Sequence, residues 1–156
     1  MSFSGKPTTF VEQTIENDGF WPNLSVSEFQ KGYRLPAEFL GDLLTDALAI
    51  AMVDVNKDLA AAKAALQDSG VSNLASEAGV ATPTAWGFAH KVMLYKRAVY
   101  CRAKASALQQ FATVTRRESA ENTGKEAPER EDTFLAFSQS AVRALQGRGR
   151  ITAALL

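Results

Sequence analysis

The chain has 156 residues, 46% apolar and 22% charged, the composition of one folded domain rather than of a disordered segment. Alanine and leucine supply 41 residues against 13 from valine and isoleucine, which favours helices over sheets. Seventeen basic side chains balance seventeen acidic ones, and the longest apolar run is the seven residues 47–53, so neither a net pull toward nucleic acid nor a bilayer span of about 20 residues is present.

Residues 1–24 show no sustained period and contain Pro7, Gly19 and Pro22, which predicts an extended arm. Ser25 followed by Glu28 has the pattern of a capping box and opens a short helix through Gly32. A long helix is predicted from Pro36 to Asp68, with Pro36 in its first turn and Gly70 closing it. Its apolar stripe runs Leu40, Leu44, Leu48, Ala51, Val55, Leu59, Ala62 and Leu66. Those steps repeat every 11 residues, about 3.67 per turn, so the helix can lie nearly straight on a neighbour. Asp42, Asp46, Asp54 and Asp58 fall mostly on the other side and read as a solvated face or a surface for a basic partner, not as a cation site.

A small-residue loop around Gly79 leads to Thr82-Pro83, a cap and first turn, and a second long helix to Thr115. That helix carries two apolar strips, Leu94, Ala98, Cys101, Ala105 and Ala112 on one side and Val92, Val99, Ala103, Ala107 and Phe111 well round the axis. It therefore needs cover on more than one side, from its own bundle or from a neighbouring copy. Residues 116–127 read as a polar loop, and a last helix follows Pro128, with Phe134, Phe137, Ala141 and Leu145 on its apolar face and Gly147 at its end. The whole is an all-α small bundle in one domain: an arm (1–24), a helical core (25–146) and a tail (147–156) that is basic and then apolar. The tail either packs on its own bundle or reaches another subunit.

Charge is balanced only in sum. Residues 78–117 carry seven basic side chains and no acid, whereas residues 28–77 and 118–132 each carry a net charge of −4. Alternating blocks of this kind join segments of one molecule or faces of neighbouring molecules. The acidic flanks compete with nucleic acid for the same cations.

Little catalytic chemistry is available. A single cysteine, Cys101, excludes a disulfide framework, and a single histidine, His90, excludes most histidine metal sites, so no metal and no cofactor are expected. Eleven residues apart on one predicted helix, His90 and Cys101 lie about 16 Å apart along its axis, too far for a nucleophile and its base. Gly147-Arg148-Gly149-Arg150 lacks the strand and helix that frame a phosphate loop, although its arginines suit carboxylate or phosphate. Phe20, Trp21 and Pro22 either staple the arm onto the core or anchor in a partner's pocket. The first 30 residues lack the pattern of a secretory leader.

Three segments, Asn17-Asp18-Gly19-Phe20-Trp21-Pro22, the run from Tyr95 to Ala105 (Tyr-Lys-Arg-Ala-Val-Tyr-Cys-Arg-Ala-Lys-Ala) and Gly147-Arg148-Gly149-Arg150-Ile151-Thr152, together resemble the head completion/stabilisation proteins (GPL) of contractile-tailed phages in order and spacing. The resemblance implies a virion protein without enzymatic activity that joins the portal vertex after DNA packaging, stabilises the filled head and offers the surface on which the tail docks. It implies a portal protein on one side, a tail terminator or tail-completion protein on the other, neighbouring copies in a ring of twelve, packaged DNA in the channel, and no membrane. On this reading the partner contacts fall on Arg148, Gly149, Arg150, Ile151, Leu155 and Leu156, with Phe20, Trp21 and Pro22 anchoring the arm. The alternative is a helical DNA-binding packaging protein, similar to a small terminase subunit, that uses residues 91–117.

Overall fold

Ser25 sits in extended backbone, and its hydroxyl accepts the Glu28 amide at 3.2 Å, so the first helix, α1 (Val26–Gly32), starts where the cap predicts. The reciprocal half of the capping box is not made: the Ser25 amide donates to the Tyr100 hydroxyl at 3.3 Å, and the Glu28 carboxylate is used elsewhere. The computed structural model describes residues 10–35, 41–79, 83–115 and 131–149. Within these the fold is mainly α, with six helices and one two-stranded ribbon.

Part of the predicted arm is folded. Strands β1 (Thr14–Ile15) and β2 (Leu24–Ser25) pair antiparallel, Thr14 opposite Ser25 and Ile15 opposite Leu24. Asn17, Asp18 and Gly19 turn the chain between them. The Asp18 carboxylate accepts the Phe20 and Trp21 amides, each at 3.0 Å, and Gly19 takes φ +83°. The ribbon is sewn to its surroundings by Val26 N–H to the Gln13 carbonyl (2.9 Å) and Leu74 N–H to the Phe20 carbonyl (3.0 Å). Two-residue strands carry no periodic signal, which is why this stretch reads as an arm in the sequence.

The long helix predicted over 36–68 is two helices, α2 (Gly41–Asp58) and α3 (Ala60–Asp68), with residues 36–40, including Leu40, outside the described set. Leu59 leaves helical geometry at φ −99°, ψ 6°. The interruption falls where the Gln146 side-chain amide donates to the Asp58 carbonyl at 2.8 Å, the group that a regular ladder offers to residue 62. The stripe survives the break: Leu44, Leu48, Ala51, Val55 and Leu59 are buried, and Ala62 and Leu66 pack partly against the same core. Asp42, Asp46, Asp54 and Asp58 are exposed, as their phase predicts. Gly70 takes φ +98° after α3, and the Val71 amide reaches back to the Leu66 carbonyl at 3.1 Å.

The stretch before Gly79, read in the sequence as loop, contains α4 (Leu74–Ala78), capped by the Asn73 side chain on the Ser76 amide at 3.0 Å. One turn is too short to show a period. Helix α5 (Pro83–Thr115) has the predicted bounds and is the central pillar, packed against α2, α4 and α6 (Glu131–Leu145). Much of each apolar strip is covered from within the chain: Ala98, Cys101 and Ala105 are buried on one and Val99, Ala103 and Ala107 on the other, Leu94 and Val92 are half-buried, and the side chains of Ala112 and Phe111 lie outside the described set. Its two-sided apolarity is thus met in large part by the chain itself. Ser138 of α6 is buried and donates to the Ala98 carbonyl at 2.7 Å, fixing the two helices together. Gly147 ends α6 at φ +71°.

Candidate docking surfaces

Three side chains from three elements form a closed cycle of hydrogen bonds. Asn17 Nδ2 donates to the Tyr95 hydroxyl at 2.7 Å, the hydroxyl donates to Asn56 Oδ1 at 2.6 Å, and Asn56 Nδ2 donates to Asn17 Oδ1 at 2.9 Å. Every donor serves the next acceptor, so the ribbon, α2 and α5 are tied at one point, and such rings polarise favourably. Trp21 stacks flat on Tyr95, centroids 4.7 Å apart, and Phe20 meets Trp21 edge-on at 5.0 Å. Phe20, Trp21 and Pro22 are all buried in the chain's own core rather than offered to a partner. The Trp21 indole N–H finds no acceptor among the described residues. Outside this cluster, Lys63 closes on Asp18 at 2.7 Å. Burial works against the Asp18 charge, but the Lys63 ammonium and the Trp21 and Phe20 amides together outweigh it and hold the carboxyl below its usual range.

A second brace fastens α1 to α5. Lys96 pairs with Glu28 at 3.0 Å, and the Tyr100 hydroxyl donates to the same carboxylate at 2.8 Å. Phe29 stacks on Tyr100 at 5.5 Å, and Tyr33 closes the cluster. Lys104 is almost wholly buried. Its ammonium donates to the Tyr33 carbonyl at 2.7 Å and lies 4.3 Å from the centroid of Phe134. Arg102 pairs with Asp58 at 2.8 Å. The basic and aromatic run of α5 is thus a set of internal ties, and Lys96, Arg102 and Lys104 reach α1, the end of α2 and the turn after α1. Burial raises the hydroxyl pKa of Tyr33, Tyr95 and Tyr100 well above the ordinary range, so all three stay neutral and serve as hydrogen-bonding groups.

Cys101 is buried, and burial pushes its thiol up despite the pull of Arg97, which leaves a protonated, weakly nucleophilic sulfur. His90 is exposed. Among the described residues, no three of His, Cys, Asp or Glu converge as a metal site would require, and no helix is long and apolar enough to cross a membrane.

Of the tail, only the first residues are described. The Arg148 amide donates to the Arg143 carbonyl at 2.8 Å, and the Arg143 guanidinium holds the Gly149 carbonyl at 2.9 and 3.2 Å. Arg148 is exposed, and Arg150, Ile151, Leu155 and Leu156 lie outside the described residues.

Among the described residues, two exposed faces remain. On α2, Ile50 and Val53 are 66% and 47% exposed, with Asp46 and Asp54 beside them. Between α1 and α5 lies a groove of about 500 Å³ lined by Tyr33, Met93, Leu94 and Arg97, among others. Met93 is 66% exposed there, and Arg97 covers the 40% exposed ring of Phe137 at 4.9 Å. An adjoining cleft of about 310 Å³ includes Arg34, which closes α1 at φ 50°, a conformation uncommon for a residue with a side chain. The sequence predicts the aspartates of the α2 face as a solvated face or a surface for a basic partner, but not Ile50 and Val53 among them, the α1–α5 groove or the hydrogen-bonded cycle. The available signals were Asn56, a poor helix former inside an alanine-rich helix, and Ile50 and Val53, which lie off the apolar stripe.

Comparison with known proteins adds a second line of observation. The profile of the family described as phage head completion protein (GPL) matches residues 15–156. A relative from Haemophilus phage HP1 (strain HP1c1), described as a probable head completion/stabilization protein, is 30% identical over 148 residues, covering 95% of each chain. No solved structure matches.

Proposed function

The chain belongs to the phage head completion protein (GPL) family, and from that premise we propose that it is a structural adaptor at the portal vertex. It binds there once DNA is packaged, stabilises the filled head and provides the surface for tail attachment. Copies stand side by side in a ring that follows the portal, twelve in number, and residues 147–156 are the segment that grips the portal. The observation that carries this reading is the family match across residues 15–156, which includes that segment.

The physical chemistry of the chain supports it. Phe20, Trp21 and, in the second segment, Tyr95, Lys96, Tyr100, Arg102 and Lys104 are engaged inside the molecule, which favours the third resembling segment for the portal. Gly147 releases the chain from α6, and Arg143 fixes the exit at Gly149. Beyond it Arg150 can pair with carboxylates at the rim of a site, while Ile151, Leu155 and Leu156 fill its groove. Each apolar side chain buried contributes about 1.5–3 kcal/mol, against ordering costs of about 1–2 kcal/mol per residue. The DNA-binding alternative loses support from the same ties, because Lys96 and Arg102 are paired with carboxylates and Lys104 is buried.

Deleting residues 150–156 tests the docking segment and leaves the Arg143–Gly149 closure in place. The expected outcome is a free protein whose melting temperature moves by no more than about 2 °C and which filled heads no longer take up. A truncated protein that unfolds, or that joins heads as before, defeats the proposal.

A further inference from the structure

The two exposed faces differ in sign. The α2 face carries exposed Ile50 and Val53 with Asp42, Asp46 and Asp54 around them; Lys57 lies on the same side, as does Arg102, which is neutralised by Asp58. Among the described residues, none of those three aspartates is in an ion pair. The face between α1 and α5 is concave, with Met93, Leu94 and Tyr33 as its apolar floor. Its charge is positive: Lys96 is neutralised by Glu28, which leaves Arg97, with Arg34 in the adjoining cleft.

The faces also point in different directions. Ile50 shares shallow clefts with Arg102, Ser106 and Gln109 of α5. At 100° per residue those positions lie roughly 170° round the α5 axis from Met93 and Arg97. An acidic ridge is thus displayed on one flank of the pillar helix and a basic groove on the other.

We propose that the α2 ridge of one copy seats in the α1–α5 groove of the next, with Ile50 and Val53 against Met93 and Tyr33 and with Asp46 and Asp54 facing Arg97 and Arg34. The charges select this pairing over a symmetric one. Ridge on ridge would bring aspartates together, and groove on groove would bring arginines together; only ridge on groove places opposite charges across apolar contact. Two different patches in contact make a head-to-tail interface, which continues from copy to copy as a ring or a filament. This deepens the ring in the reading above by naming the surfaces that mate, and it rests on that reading only for the place where the copies assemble.

Cysteine cross-linking on the full-length chain tests it. The variant carries Ile50→Cys and Met93→Cys in a Cys101→Ala background, and circular dichroism checks that it melts as the parent does. Oxidised at high concentration and on filled heads, it gives a ladder of dimers, trimers and higher species, whereas each single-cysteine variant stops at dimers. Adding Arg97→Glu lowers the yield about tenfold at low salt, and adding Asp54→Arg with it restores the ladder, although the two residues sit on opposite flanks of one copy. No ladder in either setting overturns the contact, as do dimers from Ile50→Cys alone in equal yield or cross-links only to another head protein. Heads that take up the double-cysteine variant without a ladder sink this interface and leave the portal role standing. A ladder from protein that filled heads refuse does the reverse.

Discussion

Residues 95–104 of α5 and residues 46–54 of α2 are both helical, both charged and both rich in large side chains, yet they use them in opposite ways. In the first, Tyr95, Lys96, Tyr100, Arg102 and Lys104 each make a polar contact to another element. In the second, Asp46, Ile50, Val53 and Asp54 face solvent. Polar groups met in this way can be altered only at the expense of the fold; Arg97, exposed in the same run, is the exception. A region whose groups are unmet is open to a partner at little cost to the monomer. Density of charge and aromatics in a sequence therefore does not mark an interface; what decides is whether the partners of those groups lie in the same chain.

The largest effect separates the two regions most sharply. Tyr95→Ala removes the ring beneath Trp21 and breaks the hydrogen-bonded cycle, leaving Asn17 and Asn56 each short of a partner. A loss of about 3–5 kcal/mol is expected in chemical denaturation, a large part of the roughly 5–15 kcal/mol that holds a domain together. Ile50→Ser, by contrast, should stay within about 0.5 kcal/mol of the parent. If the two variants lose similar stability, the α2 face is part of the core and the contrast fails.

A smaller effect sits at Lys104. Its stem is buried and its ammonium satisfies the Tyr33 carbonyl at the end of α1. Lys104→Met keeps the length and leaves that carbonyl without its donor, for an expected loss of about 1–3 kcal/mol. Faster hydrogen exchange in the last turn of α1 should accompany it. An equally stable variant would mean that the carbonyl finds another donor and that the ammonium is tolerated rather than used.

How far the sequence carries the reader follows from the range of each determinant. Signals confined to one helix were legible: the 11-residue stripe through Leu44, Leu48, Ala51, Val55 and Leu59, the Ser25 cap, Pro83 at the start of α5, and Gly70 and Gly147 at helix ends. Determinants that join distant positions were not. The break at Leu59 involves the amide of Gln146, 88 residues beyond Asp58, and nothing local to Leu59 announces it. Lys104 has the same identity whether buried or solvated, and its burial depends on where Tyr33 and Phe134 are brought. The docking side was legible only as a resemblance. Two of its three segments meet where Asn17 and Trp21 touch Tyr95, so they report a shared frame; the face around Ile50 belongs to none of the three, and the groove beside Met93 takes only Lys96, Arg97 and Tyr100 from the second.

The smallest effect tests the outer edge of the braced region, where solvent already reaches. Asp18 accepts two backbone amides through one oxygen and Lys63 through the other, and these contacts hold its carboxyl below the ordinary value despite some burial. A carboxyl that is a stronger acid folded than unfolded adds stability above its unfolded pKa of about 4, and that stability is lost as pH falls through the lower folded value. Asp18→Asn separates the charge from the turn, because the amide oxygen can still accept the Phe20 and Trp21 N–H groups while the attraction to Lys63 disappears. Solvent still reaches and screens the pair, with the Asp18 and Lys63 side chains 30% and 27% exposed, and semi-exposed pairs of this kind contribute under about 1 kcal/mol. Urea titrations at pH 7 should place Asp18→Asn below the parent by that amount, and the gap should close as the pH falls through the lowered folded pKa, below which the parent carboxyl is also neutral. A gap that persists in acid would show that the asparagine disturbs the turn itself, and the ion pair would then add nothing to the brace.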